Sequence, residues 1–131
     1  MANAYQQAIA AAQVAQNAFA GEMVEYRRGN ASAVLTAINS PKDYPLASGI
    51  DAVQNVQVDD WLVIVADLCL AQGGQPAAPT KPIRGDQIRR TVGSVVQVYE
   101  VQPLGSKDVC EMSGPLRYRI HTKLIGTEPA Q

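Results

Sequence analysis

The sequence predicts a small antiparallel β-barrel or sandwich with long loops and one N-terminal α-helix, a mainly β (α+β) class. Three observations carry this prediction. Residues 4–20 are rich in Ala and Gln with no Gly or Pro until Gly21; apolar residues then recur at every second position; and Gly- or Pro-bearing turns interrupt that alternation at short intervals. Short strands joined by turns behind a lone helix make a barrel or sandwich rather than an alternating α/β plan. At 131 residues the chain has the size of one domain, read as a helix over about 4–20, a barrel over about 22–125 and a flexible tail over 126–131.

Asn3 can cap the helix through its side-chain oxygen. Tyr5, Ile9, Ala12, Phe19 and Met23 recur at steps of three and four, interrupted by Gln16, so the helix carries one narrow apolar stripe. At 1.5 Å per residue it is ~25 Å long, enough to lie against a neighbouring subunit as readily as against its own sheet.

Met23, Val24 and Tyr26 lead through Arg27 and Arg28 to Gly29-Asn30, and residues 33–38 follow, the pattern of a β-hairpin. Asn39-Ser40-Pro41 ends the second strand, and residues 40–49, with Pro41 and Pro45, read as a surface loop. Val53, Val56 and Val58 begin another extended stretch, and residues 61–66 are apolar and β-branched enough for a central strand, with Asp59-Asp60 interrupting between them. The run QGGQPAAPTKP within residues 71–83 excludes a ladder strand and describes a long exposed connection.

Arg84-Gly85-Asp86 spells an integrin-binding tripeptide, but a Gly followed by a backbone-bonding Asp at the start of a strand is ordinary turn chemistry. Residues 86–90 and the run Val95, Val96, Val98, Tyr99, Val101 form a second hairpin about Gly93-Ser94. Residues 109–112 and 116–124 are joined by Ser113-Gly114-Pro115. In the last strand Tyr118, Ile120 and Thr122 alternate against Arg117, Arg119 and His121, which places His121, the only histidine, on a polar outer face.

The formal charge of -1 lacks the basic surplus of a general nucleic-acid binder. Cys69 and Cys110 match no metal spacing and read as small buried hydrophobes in a reducing compartment. The N-terminus lacks a signal-peptide pattern, and residues 61–66 are too short to span a bilayer, so a soluble, unexported protein without membrane contact is expected. No nucleophile elbow, HExxH, P-loop or GxGxxG occurs, and Asp59, Asp60, Asp67 and Asp86 read as solvated turn carboxylates. No catalytic, cofactor-binding or metal-binding residues are therefore assigned, and the chain is not expected to be an enzyme.

The strand around DDWLVIVADL, the Gly/Pro-rich loop, the turn PIRGDQI, the strand VVQVYEVQP and the closing strand LRYRIHTKLIG, behind a helix and hairpin, resemble the small head completion proteins of tailed bacteriophages. The resemblance covers residues 4–125. It implies a structural virion protein at the portal vertex: a ring of copies assembled in the host cytoplasm between the portal or adaptor and the tail terminator or tail tube. Such a ring completes the head and helps retain or conduct DNA. On this reading, Tyr5, Phe19, Tyr44, Leu46, Gln72, Gln75 and Lys81 are expected subunit or partner contacts. Arg84, Arg89, Arg90, Arg117, Arg119 and Lys123 are candidates for non-specific contact with genomic DNA in a channel, where several converging copies would matter. The plainer account of these basic residues is an outer sheet face neutralised by Glu and Asp. The alternatives in function are a tail terminator ring and a small β-barrel binding module with no phage role.

Overall fold

The computed structural model describes residues 4–47, 53–71, 77–104 and 108–130. Helix α1 (Ala4–Ala20) precedes strands β1 (Glu22–Arg28), β2 (Ala31–Ala47) and β3 (Val53–Ile64). After a 3-10 turn (Val65–Asp67) come β4 (Gln87–Val92), β5 (Val95–Val101), β6 (Cys110–Ser113) and β7 (Arg117–Pro129). The two tightest hairpins turn where the sequence places glycine. Arg28 pairs with Ala31 across Gly29 (φ 58°), and Val92 pairs with Val95 across Gly93 (φ 62°). A two-residue loop whose twist matches the strands needs positive φ, which only glycine adopts without strain.

Every strand pairing is antiparallel, in the order β3-β2-β1-β4-β5-β7-β6. β3 also pairs with β7, Trp61 opposite Ile120 and Val63 opposite Tyr118, so β1, β2, β3, β7, β5 and β4 close into a six-stranded barrel. β6 flanks the first residues of β7, while the later part of β7 lies along β5. Closure removes sheet edges over the paired length.

Inward residues fill the barrel: Val24 and Tyr26, Leu35 and Ala37, Trp61 and Val63, Ile88, Tyr99 and Val101, and Ile120. Trp61 has no exposed surface and meets the Tyr99 ring edge-on, centroids 5.2 Å apart at 72°. Each large apolar side chain so buried stabilises the fold by roughly 1.5–3 kcal/mol relative to exposure, which explains how the barrel holds together while Cys69 and Cys110 remain free thiols.

Residues 40–49 are not the surface loop expected from Pro41 and Pro45. β2 continues to Ala47, and its register with β3 runs from Ala37 opposite Val63 to Ala47 opposite Val53; residues 48–52 lie outside the described ones. The pairing of β2 with β1 stops at Ala37, so past that point one side of β2 has no partner strand. A proline, which lacks an N–H, costs no ladder bond on such a side. Pro41 and Pro45 are four residues apart and share that side.

β7 likewise runs beyond Gly126, pairing Glu128 with Val96 and Pro129 with Val95, where the sequence predicted a tail. The expected solvated carboxylates and exposed histidine are also revised. Asp60, Asp86 and His121 are 0, 2 and 1% exposed. Asp59-Asp60 does not interrupt a strand either; both residues lie within β3.

Candidate assembly surfaces

The irregular segment 77–86 is tied to the barrel by Asp86. Its carboxylate accepts from the Tyr26 hydroxyl (2.5 Å), from Arg28 Nε (2.9 Å) and Nη2 (2.8 Å), and from the Ile83 backbone N–H (3.0 Å). Arg28 Nη2 also donates to the Lys81 carbonyl at 2.8 Å and Nη1 to Thr80 Oγ1 at 3.3 Å. Burial, then the Asp86 bond, push the Tyr26 phenol far above its usual range, and the Asp86 bond raises Arg28. The phenol stays a donor and the guanidinium stays charged, so the network is permanently complementary. The Arg84-Gly85 turn therefore acts as a fastener, with the Asp86 N–H returning to the Ile83 carbonyl.

A second buried carboxylate, Asp60, stands on the outer side of the β3–β7 seam. Arg119 Nη1 donates to its Oδ2 at 3.0 Å, and His121 Nδ1 lies 2.9 Å from its Oδ1. His121 Nε2 is 3.9 Å from a Glu111 oxygen. This gathers the only histidine with carboxylates, but at 1% exposure the ring offers no surface to a substrate, and the cluster works as a structural clasp across the seam. Among the described residues no group of three or more His, Cys, Asp or Glu is placed to hold a metal ion.

Beyond these fasteners, two features project from the barrel. Residues 42–47 and 53–58 pair only with each other, because β2 leaves β1 after Ala37 and β3 meets β7 only from Asp59 onward. They form a two-stranded arm of six residue pairs, from Lys42 opposite Val58 to Ala47 opposite Val53. At ~3.3 Å per residue that reach is ~20 Å. α1 carries no charged residue and touches the barrel chiefly through β2, leaving Tyr5 74% exposed.

The barrel's outer wall carries a shallow depression of about 280 Å³ between β1, β2, β4 and β5, lined by Met23, Val34, Thr91 and Val96 beside Glu25 and Arg89. Met23 is 63% and Val34 68% exposed. Both point outward because alternation puts Val24 and Leu35 inside.

The sequence-predicted residues are dispersed over these features. Tyr5 is on α1, where Phe19 also lies; Tyr44 and Leu46 belong to the arm by their β2 positions. Gln72 and Gln75 fall outside the described residues. Lys81 is exposed and pairs with Asp108 at 3.4 Å, an oxygen acid held below its usual value first by the Val109 N–H and then by Lys81.

Of the basic set, Arg89 pairs with Glu25 and Glu128, Arg90 with Glu22 at 2.8 Å, and Arg119 with Asp60. Arg90 also lies over the Trp61 ring, 5.9 Å from its centroid, so it caps a barrel end. Arg84 and Lys123 are exposed. Arg117 is only 8% exposed, and its Nε and Nη1 have no hydrogen-bond partner. The structure thus gives Arg89, Arg90 and Arg119 the neutralised setting of the plainer account and leaves Arg117 apart.

Sequence reasoning missed Asp86, Tyr26, Arg28 and Asp60 as the residues that set this geometry. One signal was available: Arg28 shares the inward parity of Val24 and Tyr26, an odd place for a charge without a buried partner.

Compared with known proteins, residues 2–129 match the family model described as phage head-tail joining protein. No curated protein matches.

Proposed function

The chain belongs to the phage head-tail joining protein family, and from that membership we propose that copies of it form a ring in the virion neck, between portal and tail. Membership makes it a structural protein that acts with other head and tail proteins. The ring completes the filled head, meets the portal or adaptor on one side and the tail terminator or tube on the other, and helps retain or conduct the genome. It is built in the host cytoplasm and resides at the portal vertex.

The observation that carries this reading is the division of labour in the fold. A closed barrel with buried fasteners is a rigid scaffold, while the arm of residues 42–47 and 53–58 runs past the barrel's paired strands and the uncharged α1 touches it chiefly through β2. Contacts of one subunit's arm and helix on a different face of the next are heterologous, the kind that closes rings. Tyr5 and Phe19 lie on α1 and Tyr44 and Leu46 on the arm; these, with Lys81, Gln72 and Gln75, are the proposed subunit or partner contacts. Arg84 and Lys123, exposed cations, are the candidates of the basic set best placed to meet DNA.

The test is assembly. In an infection lacking this chain, filled heads and free tails accumulate without joining; adding the purified chain joins them, and negative-stain images of the chain with its portal show a ring at the vertex. A chain that never associates with heads or portal under assembly conditions overturns the reading, and one found on isolated tails but not on heads places it at the tail end instead.

A further inference from the structure

We propose that Arg117 is a receiving site for a carboxylate that a partner protein chain supplies on assembly. The inference deepens the neck reading, on which it rests, by naming the chemistry of one contact.

Among the described residues, Arg27, Arg28, Arg89, Arg90 and Arg119 are each at least partly buried and each faces a carboxylate. Arg117 is more buried than any of them, at 8% exposure, yet its Nε and Nη1 are both enclosed without a partner. In register it lies opposite Ile64 of β3 and Ser113 of β6. Its neighbour on the same side of β7 is Arg119, and the buried carboxylate of that side, Asp60, is engaged by Arg119 and His121. Burial, and then Arg119, lower Arg117 from its usual value. A buried cation with no counter-charge destabilises the fold that holds it, so the isolated chain carries an unmet electrostatic demand at Arg117.

The site lies beside the surface. Arg117 is the first residue of β7, separated from the exposed Gly114 and Pro115 of the turn only by the half-buried Leu116. The incoming group is best an Asp or Glu side chain or a chain-terminal carboxylate. A carboxylate is small, planar and matched to the guanidinium fork, whereas nucleic-acid binding draws on several exposed cations at once. Here the cation is enclosed and the adjacent Arg119 is already neutralised.

Two variants of the full chain test this. Arg117→Met removes the charge but keeps an apolar stem; Arg117→Lys keeps the charge without the fork. Purified R117M is expected to melt at or above the wild-type temperature, while its joining of filled heads to tails falls at least tenfold and R117K falls less. If the carboxylate belongs to a second copy, R117M also loses self-association in analytical ultracentrifugation; if it belongs to a head or tail protein, self-association stays and only joining fails. Wild-type joining and wild-type self-association by R117M overturn the inference. So does an R117M melting point several degrees below wild type, which would mean that the guanidinium is satisfied within the fold. Failure of the wild-type chain itself to join heads defeats the neck reading instead, and self-association then still decides the role of Arg117.

Discussion

Two guanidinium sites on the barrel, one half-buried at Arg28 and one buried at Arg117, differ in how they are satisfied. At the β1 site, Arg28 meets Asp86 through two nitrogens and two backbone or side-chain oxygens beyond it, and the carboxylate takes Tyr26 and Ile83 as well. At the start of β7, Arg117 is enclosed more deeply, and its Nε and Nη1 have no hydrogen-bond partner. The first site closes the subunit on itself; the second leaves it incomplete. A fold that satisfies its buried charges on one wall and not on another is finished as a domain and unfinished as an assembly component.

The largest effect should come from breaking the closed site. Asp86→Ala strands the Tyr26 hydroxyl, the Arg28 guanidinium and the Ile83 N–H together, and removing one partner of a buried charge pair costs roughly 3–5 kcal/mol. Urea unfolding is expected to show a loss of that size, with residues 77–86 exchanging backbone hydrogens faster; a loss below ~1 kcal/mol would mean that water replaces Asp86 with ease. Tyr26→Phe is milder. Asp86 keeps both Arg28 bonds and the Ile83 N–H, so the expected cost is ~1–2 kcal/mol, and parity with wild type would show that the short Tyr26 bond contributes little.

The smallest effect sharpens the comparison through pH. Burial, opposed by Arg90, raises Asp59 above its ordinary 3.8. A carboxyl whose folded value is raised gives stability that is present below its unfolded value and lost as pH rises through the folded one. Asp59→Asn is therefore expected to match wild type in strong acid and to melt slightly higher near neutrality, the gap opening just above pH 4. A neutral-pH melting point below wild type would show that the Arg90 attraction outweighs the burial.

Much of the fold was legible because its signals are local. Residues 4–20 lack breakers and form α1 with those bounds; Gly29-Asn30 and Gly93-Ser94 turn where positive φ was needed. The arm was hidden because Pro41 and Pro45 forbid a strand only where both sides are paired, and local sequence does not reveal that the pairing of β2 with β1 stops at Ala37. The site was less legible. Arg117, Arg119 and His121 were placed on one side of β7, but the same alternation left open whether that side meets water.

The sequence alone determined the helix, the hairpin turns, the alternation of faces along each strand and the resemblance that the family match upholds. Only the tertiary structure decided which faces are covered. Closure pairs β3 with β7, residues about sixty positions apart such as Asp60 and His121, and so sinks Asp60 and His121 while leaving Met23 and Val34 outside. A period of two says which side chains point the same way; what lies over them depends on contacts far along the chain, and from those contacts comes the buried charge at Arg117, whose Nε and Nη1 meet no partner among the described residues.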